Sequence, residues 1–390
     1  MIQLRFGETR NARSNRELGG SVNITYMIGN GFDIALGLKT QYSDFMKHYC
    51  ALDKHDNPVL ARFQDVIRKD NCNLWSCAEE AFGKLDWSGF DGVNTVKTFH
   101  ECLVDFENEF DAYLLKQWKR FSLPDGAKGL DASKQLLDRM LHLDRFMGSR
   151  FAQEYRQLAL QQGIRVRIIV FNYTDIIEQI WDSISARQNS EFHVSDVIYD
   201  NKKMSVEIAR PCFVHGVLSR SRHLFGVDRI DQVKDVTIRA ECEKSGALIK
   251  PYMDIDSGLG FDETANAFIE SSDTIVTFGL SFGLSDRVWW ERLYQHVLGR
   301  GRRLIICPYY NEKHAVMNFG DAAMIDKQNA LGDIFSSLEG DANYKLDFSR
   351  NRIRNVRLLD DFEKDVGNGK KTRCDYFGLY ELGKVTVKDN

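Results

Sequence analysis

Four short apolar runs constrain the fold of this chain more than any other feature of its sequence. They are ITYMIG (24–29), VRIIVF (166–171), TIVTFG (274–279) and RLIICP (303–308). Each is nearly continuous and rich in β-branched or aromatic residues, which is typical of strands covered on both faces in a parallel sheet. Helical patterns follow two of the runs, DIIEQIWDSI (175–184) and SDRVWWERLYQHVLG (285–299), the second beginning with the helix-capping residues Ser285 and Asp286. This order predicts a doubly wound, mostly parallel α/β sheet.

A long helical segment separates the first two runs. Within 96–118, one helical stripe carries Phe99, Leu103, Phe106, Phe110 and Leu114. After a turn at 122–131, residues 132–162 have the pattern of one or two further helices. We therefore expect a flexible N-terminal arm (1–22), a core (23–57 with 163–310), an α-helical insertion or cap (58–162) and a C-terminal α/β extension (311–390). Because the insertion interrupts the core after one strand, it should pack over the cleft or form an oligomer interface rather than an independent domain.

Composition narrows the classes of partner. The net charge of −4 gives no electrostatic footprint for nucleic acid, and no stretch approaches the roughly 20 apolar residues of a membrane helix. The N-terminal residues contain no apolar signal core, so we expect a cytoplasmic protein. The 8 cysteines form no close pair and no histidine lies at zinc-finger spacing, which favours scattered reduced thiols and no metal.

Small and polar residues follow three of the four apolar runs. They are Gly29-Asn30-Gly31-Phe32-Asp33, Asn172-Tyr173-Thr174-Asp175 and Gly279-Leu280-Ser281-Phe282-Gly283-Leu284-Ser285-Asp286. A fourth element, CFVHGVL, places His215-Gly216 inside an apolar run. Ligands of open parallel sheets bind beyond the carboxyl ends of the strands, so this clustering predicts one pocket around a nucleotide.

Each of these features also has an ordinary structural explanation. A lone GxG after a strand is often only a tight turn, and a lone histidine in a strand is more often a satisfied core residue than a catalyst. An asparagine after a strand is usually a turn former, because it bonds its own backbone. Four such features, in the order expected of one pocket, favour a site.

These motifs resemble segments of two protein families. YMIGNGFDIALGLKTQYSDF, FNYTDIIE, VHGVL…FGVD and FGLSFGLSD together resemble the AbiH family of bacterial phage-abortive-infection proteins, from about residue 24 to 300, and LWSCAEEAFGKL (74–85) resembles another segment of that family. The same motifs are similar, more distantly, to the NAD-binding core of sirtuins. The sirtuin positions matched are Gly29, Gly31, Asp33, Gly37 and Leu38 in the first loop, then Asn172, His215-Gly216 and Gly279-Leu280-Ser281-Phe282.

The resemblance implies a set of site residues. The implied catalytic residues are Asn172, His215 and Asp175, and the implied NAD-binding residues are Gly29, Asn30, Gly31, Phe32, Asp33, Gly37, Thr174, Gly279, Ser281 and Asp286. Glycine amides would approach a pyrophosphate, and Asn172 would hold a ribose hydroxyl or a water. His215, kept neutral by burial beside Val214 and Val217, would act as a general base. Asp33, Asp175 and Asp228 are candidates to stabilise a cation-like transition state.

Some positions depart from the sirtuin pattern. Thr174 stands where sirtuins have an aspartate, so Asp175 is either a site residue or the cap of the next helix. Asn30 replaces an alanine, and the four-cysteine zinc module is missing. Three hypotheses follow: an NAD-hydrolysing defence effector, a non-catalytic nucleotide sensor, and a protein ADP-ribosyl or deacyl transferase. The resemblance also implies a phage-derived trigger and a homo-oligomer, and we expect NAD or a related nucleotide as the ligand.

Overall fold

A mixed, mostly parallel sheet forms the centre of the molecule. The computed structural model describes residues 21–69, 77–91, 94–123, 127–146, 149–185, 192–199, 201–219, 223–257, 260–299, 301–307, 329, 331–338 and 353–355. The strands are β1 (Val22–Ile28), β2 (Ile164–Val170), β3 (Phe192–Tyr199), β4 (Lys202–Ala209), β5 (Cys212–Phe213), β6 (Thr274–Phe278), β7 (Arg303–Cys307) and β8 (Ile353–Asn355). Their order is β3-β4-β2-β1-β6-β7-β8, with β5 also paired to β2.

The four apolar runs form the adjacent central strands β2, β1, β6 and β7, all parallel, as their composition predicts. Ile28 pairs with Val170 on one side and with Phe278 on the other, so the carboxyl ends of these strands lie at one level. The mostly parallel α/β sheet is therefore confirmed. The antiparallel pairing of β3 with β4 at one edge was not predicted.

Besides a helical stretch at 331–338, the described part of the chain contains thirteen α-helices with defined bounds. They are α1 (Gly31–Ala35), α2 (Tyr42–Ala51), α3 (Pro58–Lys69), α4 (Ala78–Lys84), α5 (Ser88–Asp91), α6 (Thr95–Trp118), α7 (Ala127–Leu141), α8 (Ser149–Gln162), α9 (Ile176–Ile184), α10 (Val236–Ser245), α11 (Lys250–Ser257), α12 (Phe261–Ser271) and α13 (Arg287–Leu298). Short 3-10 turns occupy Leu143–Phe146, Ile230–Gln232 and Leu284–Asp286. Within the described ranges, no helix is both long and apolar enough to cross a membrane.

Apolar side chains cover both faces of the sheet, which explains the continuous apolar runs. On one face, Ile24 and Ile28 pack with residues of α7, α8 and α9. On the other face, Met27 and Ile275 pack with residues of α12, α13 and the helical stretch 331–338. Because successive strand residues point to opposite faces, a strand buried on both must be apolar at nearly every position.

The helical segment expected as one insertion divides between two partners. Helices α7 and α8 cover the sheet directly, and α7 begins at Ala127, so the connection before it is shorter than the predicted 122–131 turn. Helices α2 to α6 instead form a separate apolar cluster with residues 225–249. There Phe106 and Phe110 contact the ring of Phe225, at centroid distances of 5.6 and 6.2 Å. This second group of helices shares its core with the loop region that follows β5.

Two of the expected parts can hardly be compared with the structure. The expected N-terminal arm lies outside the described residues except for positions 21 and 22. Of the expected C-terminal extension, only residues 329, 331–338 and 353–355 are described. The boundaries of these parts remain predictions.

Candidate functional site

Glycines bring the loops after β1 and β6 into direct backbone contact. The amide of Gly29 donates to the carbonyl of Phe278 (2.8 Å), and the amide of Gly31 donates to the carbonyl of Gly279 (3.0 Å). Gly279 has a φ of 64°, and a Cβ there would lie 2.6 Å from the Cα of Gly31. Only glycine permits both this conformation and this approach. The amides of Gly29 and Gly31, which we expected against a pyrophosphate, are thus engaged within the protein.

The rest of the first loop is also bound internally. The Asn30 side chain donates to the carbonyl of Thr40 (2.7 Å) and accepts from its hydroxyl (2.5 Å). Phe32 is buried edge-on against Phe278, with ring centroids 6.3 Å apart. Gly37, at a φ of 100°, ends the short helix α1, where its amide donates to the carbonyl of Ile34 (2.9 Å). Asn30, Phe32 and Gly37, which we expected to contact the ligand, therefore have structural roles in this loop.

Asp33 joins the loops after β1 and β2 in a buried triad. Its Oδ1 accepts a hydrogen bond from Asn172 Nδ2 (2.9 Å), and its Oδ2 accepts one from the Thr174 hydroxyl (2.7 Å). All three side chains are buried. Burial raises the pKa of Asp33 to about 7, although the hydrogen bonds from Thr174 and Asn172 act in the opposite direction. The Asp33 carboxyl can therefore gain or lose a proton near neutral pH.

The other end of the Asn172 amide has no partner. Asn172 is only 4% exposed, yet its Oδ1 forms no hydrogen bond within the described residues. Since Nδ2 donates to Asp33, the amide is fixed with Oδ1 on the opposite side. Buried polar atoms are nearly always paired, so this acceptor is a candidate contact for a donor group of a ligand or for a water. Oδ1 can accept from a hydroxyl or an N–H group.

His215 lies beside the same strand end. Its Nδ1 is 3.1 Å from the carbonyl of Phe171, the residue that precedes Asn172. Its Nε2 is 2.9 Å from Oδ1 of Asp286 but forms no well-aligned hydrogen bond with it. Both ring nitrogens thus face oxygen acceptors. The sequence predicts burial of the ring beside Val214 and Val217, and the structure adds a carboxylate from a distant segment.

Asp286 also forms an ion pair with a buried lysine. Lys250 Nζ lies 2.7 Å from Oδ1 of Asp286 and donates to the carbonyl of Ser285 (3.2 Å). Burial alone would raise the pKa of Asp286, but the ammonium of Lys250 and the ring of His215 more than offset it, and they hold the pKa well below its usual range. Burial alone would lower the pKa of Lys250, which its acidic neighbours instead raise. Asp286 is the N-cap residue of α13, as its place in the sequence predicts, but its side chain makes no capping hydrogen bond to the helix.

Two further acids lie close to Lys250. Glu79, on α4, has its Oε1 4.0 Å from Lys250 Nζ and accepts hydrogen bonds from the hydroxyls of Tyr42 (2.7 Å) and Tyr173 (3.2 Å). Asp228 accepts from the amide of Val288 (2.9 Å). Burial raises the pKa of Asp228 to about 7, while Lys250 lowers it. The site is therefore a dry cluster in which acids outnumber the lysine.

Two of the expected residues point elsewhere. Asp175 accepts side-chain hydrogen bonds from Gln179 (2.9 Å), from Ser219 (2.7 Å) and from the indole of Trp118. It stands at the start of α9 without capping it by its side chain, and it ties α6 to the core. Ser281 is exposed on the loop after β6. The structure thus joins Asn172, Thr174 and Asp33 in one group, and His215 and Asp286 in the adjacent one.

Lys250 and Glu79 escaped the sequence prediction. Lys250 follows the buried pair Leu248 and Ile249, but a lysine after two apolar residues usually extends to solvent. Glu79 lies in the segment AEEAF, where two adjacent glutamates resemble the start of any helix. Their burial depends on contacts between segments far apart in the chain. In the ranges that the structure describes, no group of three or more potential ligands could hold a metal ion.

A family model matches most of this chain. The family described as "Bacteriophage abortive infection AbiH" matches residues 25–307, which include every member of the two groups above. A search of curated proteins finds no significant match.

Proposed function

Because this chain belongs to the AbiH family of bacteriophage abortive infection proteins, we propose that it is a defence effector that binds NAD and hydrolyses it to nicotinamide and ADP-ribose. The proposal places the reaction at the carboxyl ends of β1, β2 and β6, where open parallel sheets bind nucleotides. It is further supported by the similarity of the loop motifs to sirtuins, and by the chemistry of the buried groups.

The unpartnered Oδ1 of Asn172 carries the proposal. It is a buried acceptor, fixed in direction by Asp33, with no donor among the described residues. A ribose hydroxyl or an attacking water would supply that donor. Preorganised polar groups of this kind assist catalysis because they need no rearrangement when the reaction occurs.

The reaction has simple chemical requirements. The bond between the nicotinamide nitrogen and the ribose C1′ breaks, and its electron pair leaves with nicotinamide. The water oxygen bonds to C1′ and loses a proton. Asp33, whose pKa is raised to about 7 by burial, is suited to exchange a proton at neutral pH. Its negative form would also stabilise the cation-like sugar in a site with little water.

The contacts of His215 favour a donor role over the general-base role expected from sequence. Both ring nitrogens face oxygens, those of Phe171 and Asp286, so neither is directed outward to accept a proton. The ring would therefore orient the strand end that carries Asn172. A base role would require the ring to leave one of these partners.

The test measures nicotinamide release from NAD alone and with lysate from phage-infected cells, with thermal melting of the same preparations. We expect Asn172→Ala and His215→Ala to lose about 10²–10⁴ in rate with little change in melting, because they remove groups that position the reaction. The matched controls are Gln64→Ala, which removes a buried amide bonded to backbone carbonyls in the helical cluster, and His296→Ala, which removes a buried imidazole bonded to the carbonyl of Arg303.

Both controls should retain turnover. Retained turnover in a site variant would remove that residue from the mechanism. If the wild type releases no nicotinamide under either condition, hydrolysis is excluded.

The contacts of His215 also favour a second candidate, a nucleotide sensor without turnover, because both ring nitrogens face oxygens of the protein and neither is directed at a substrate. Tight NAD binding with no release of nicotinamide would identify the sensor. Label transferred from NAD to a protein acceptor would instead identify an ADP-ribosyl transferase.

A further inference from the structure

Lys250 is a buried cation that the proposed reaction does not use directly. It is 4% exposed, and its ammonium faces Asp286, the carbonyl of Ser285 and, at 4.0 Å, Glu79. Taking an ammonium out of water is unfavourable unless partners compensate for the lost hydration, and the acidic neighbours of Lys250 provide that compensation.

Backbone strain is concentrated beside this ion pair. Within the described ranges, three residues other than glycine have positive φ, namely Asn201, Leu248 and Phe282. Asn201 lies in the turn between β3 and β4, where asparagine tolerates this conformation. Leu248, at 63°, lies two residues before Lys250, and Phe282, at 58°, lies four before Asp286. A branched or bulky residue in this region is strained and persists only where surrounding contacts impose it.

The contacts that impose it are visible at Leu248. Its carbonyl accepts from the amide of Val227 (2.8 Å), and the amide of Lys250 donates back to the carbonyl of Val227 (3.0 Å). Gly226 approaches so closely that a Cβ there would lie 2.2 Å from the carbonyl oxygen of Leu248. The segment before Lys250 is therefore hydrogen-bonded to the loop after β5, and these bonds fix the position of the lysine.

Lys250 and His215 share a single oxygen. Lys250 Nζ lies 2.7 Å and His215 Nε2 lies 2.9 Å from the same Oδ1 of Asp286. Without the ammonium, burial would favour the neutral form of Asp286 and weaken its interaction with His215. The lysine therefore influences His215 without touching it.

We propose that Lys250 is a positioning residue of the site, which keeps the Asp286 carboxylate charged and held against His215. That Lys250 supports catalysis in this way rests on the proposed NAD hydrolysis. Four charged or titratable groups of the described residues face Asp286. They are Lys250 from α11, His215 after β5, Asp228 from the loop between β5 and α10, and Tyr173 after β2. Glu79 from α4 faces Lys250 itself.

The first experiment is the pH profile of nicotinamide release by Lys250→Met and Lys250→Arg. Burial raises the pKa of Asp286, and the ammonium of Lys250 lowers it. In Lys250→Met, Asp286 should therefore become protonated at a higher pH than in the wild type. We expect its acid limb to move up by about one pH unit or more, with turnover at neutral pH reduced about 10- to 100-fold. The arginine variant keeps the charge and should restore most of the wild-type limb.

Lys54→Met is the matched control. Lys54 forms ion pairs of 2.7 and 2.8 Å with Asp105 and Glu109 in the helical cluster, so its removal tests the loss of a lysine with two acidic partners. Its acid limb should coincide with that of the wild type. An unmoved limb in Lys250→Met, or an equal shift in Lys54→Met, would overturn the proposal.

A melting experiment without NAD separates this inference from the proposed function. It compares wild type, Lys250→Met, Asp286→Asn and the double variant. If Lys250 compensates the charge of Asp286, Lys250→Met should melt at a much lower temperature than the wild type. The double variant should then melt only slightly below Asp286→Asn. Additive losses would overturn the coupling. If the wild type releases no nicotinamide but the losses are non-additive, hydrolysis fails while Lys250 still holds Asp286.

Discussion

At the scale of single residues, Asp33 gives the site its sensitivity to pH. It is the acceptor for both Asn172 and Thr174 and lies 1% exposed in the core. Because burial raises its pKa from an ordinary 3.8 to about 7, the folded protein binds a proton that the unfolded chain releases. The stability contributed by this proton is complete below the unfolded pKa and is lost as pH rises through 7.

Replacement of Asp33 by asparagine should remove this dependence. We expect wild type to lose stability relative to Asp33→Asn between pH 4 and pH 8, by on the order of 4 kcal/mol, since each unit of pKa shift is about 1.4 kcal/mol. The measurement is urea unfolding of both proteins across that range. A difference between the two proteins that stays constant, or that grows in favour of wild type with rising pH, would refute the account of Asp33.

The residue scale also separates what the sequence could predict from what it could not. Asn172, His215 and Asp33 were predicted because they stand in or beside motifs that follow apolar strands. The motif did not predict that Asp175 would bond to Trp118, which lies 57 positions away, or that Asp286 would bond to Lys250. Such partners are chosen by tertiary packing, and a buried ammonium competes better for a carboxylate than exposed helix amides do.

At the scale of elements, glycines connect the loops after β1 and β6. At Gly279, positive φ and close backbone contact occur together. At Gly260, which begins α12, the φ of 63° is almost the same, but nothing lies within 4 Å of an added Cβ. A comparison of Gly279 with Gly260 therefore distinguishes the effect of backbone strain from that of a steric clash.

Gly260→Ala should lower the free energy of unfolding by about 1–2 kcal/mol, the typical effect of left-handed strain. Gly279→Ala should lower it by at least about 2 kcal/mol more, because its Cβ would press on the backbone of Gly31. Denaturant unfolding of both variants checks this difference. Equal losses would mean that the loops can separate freely, contrary to the structure.

At the scale of the whole molecule, the sheet could be predicted and the arrangement of the helices could not. A strand buried on both faces has an apolar pattern that shows in its own sequence, so β1, β2, β6 and β7 were recognised. The apolar stripe of a helix shows only that a partner exists. That α6 would pack on Phe225 while α8 would pack on the sheet depends on long-range contacts, and so the segment 58–162 was expected as one unit.

This arrangement connects the helical cluster to the site. Glu79 of α4 accepts from Tyr173, the residue next to Asn172, and Glu80 accepts from the amide of Leu284 in the loop that carries Asp286. A change in the position of α4 would therefore reach both polar groups of the site.

The most direct test of the account is the NAD content of bacteria during phage infection. Cells that carry the wild type, Asn172→Ala or the control Gln64→Ala are sampled before and after infection, with protein levels matched. The account predicts that NAD falls after infection with the wild type and with Gln64→Ala, and that it stays at the uninfected level with Asn172→Ala. Protection by the wild type without a fall in NAD, or an equal fall with Asn172→Ala, would contradict it.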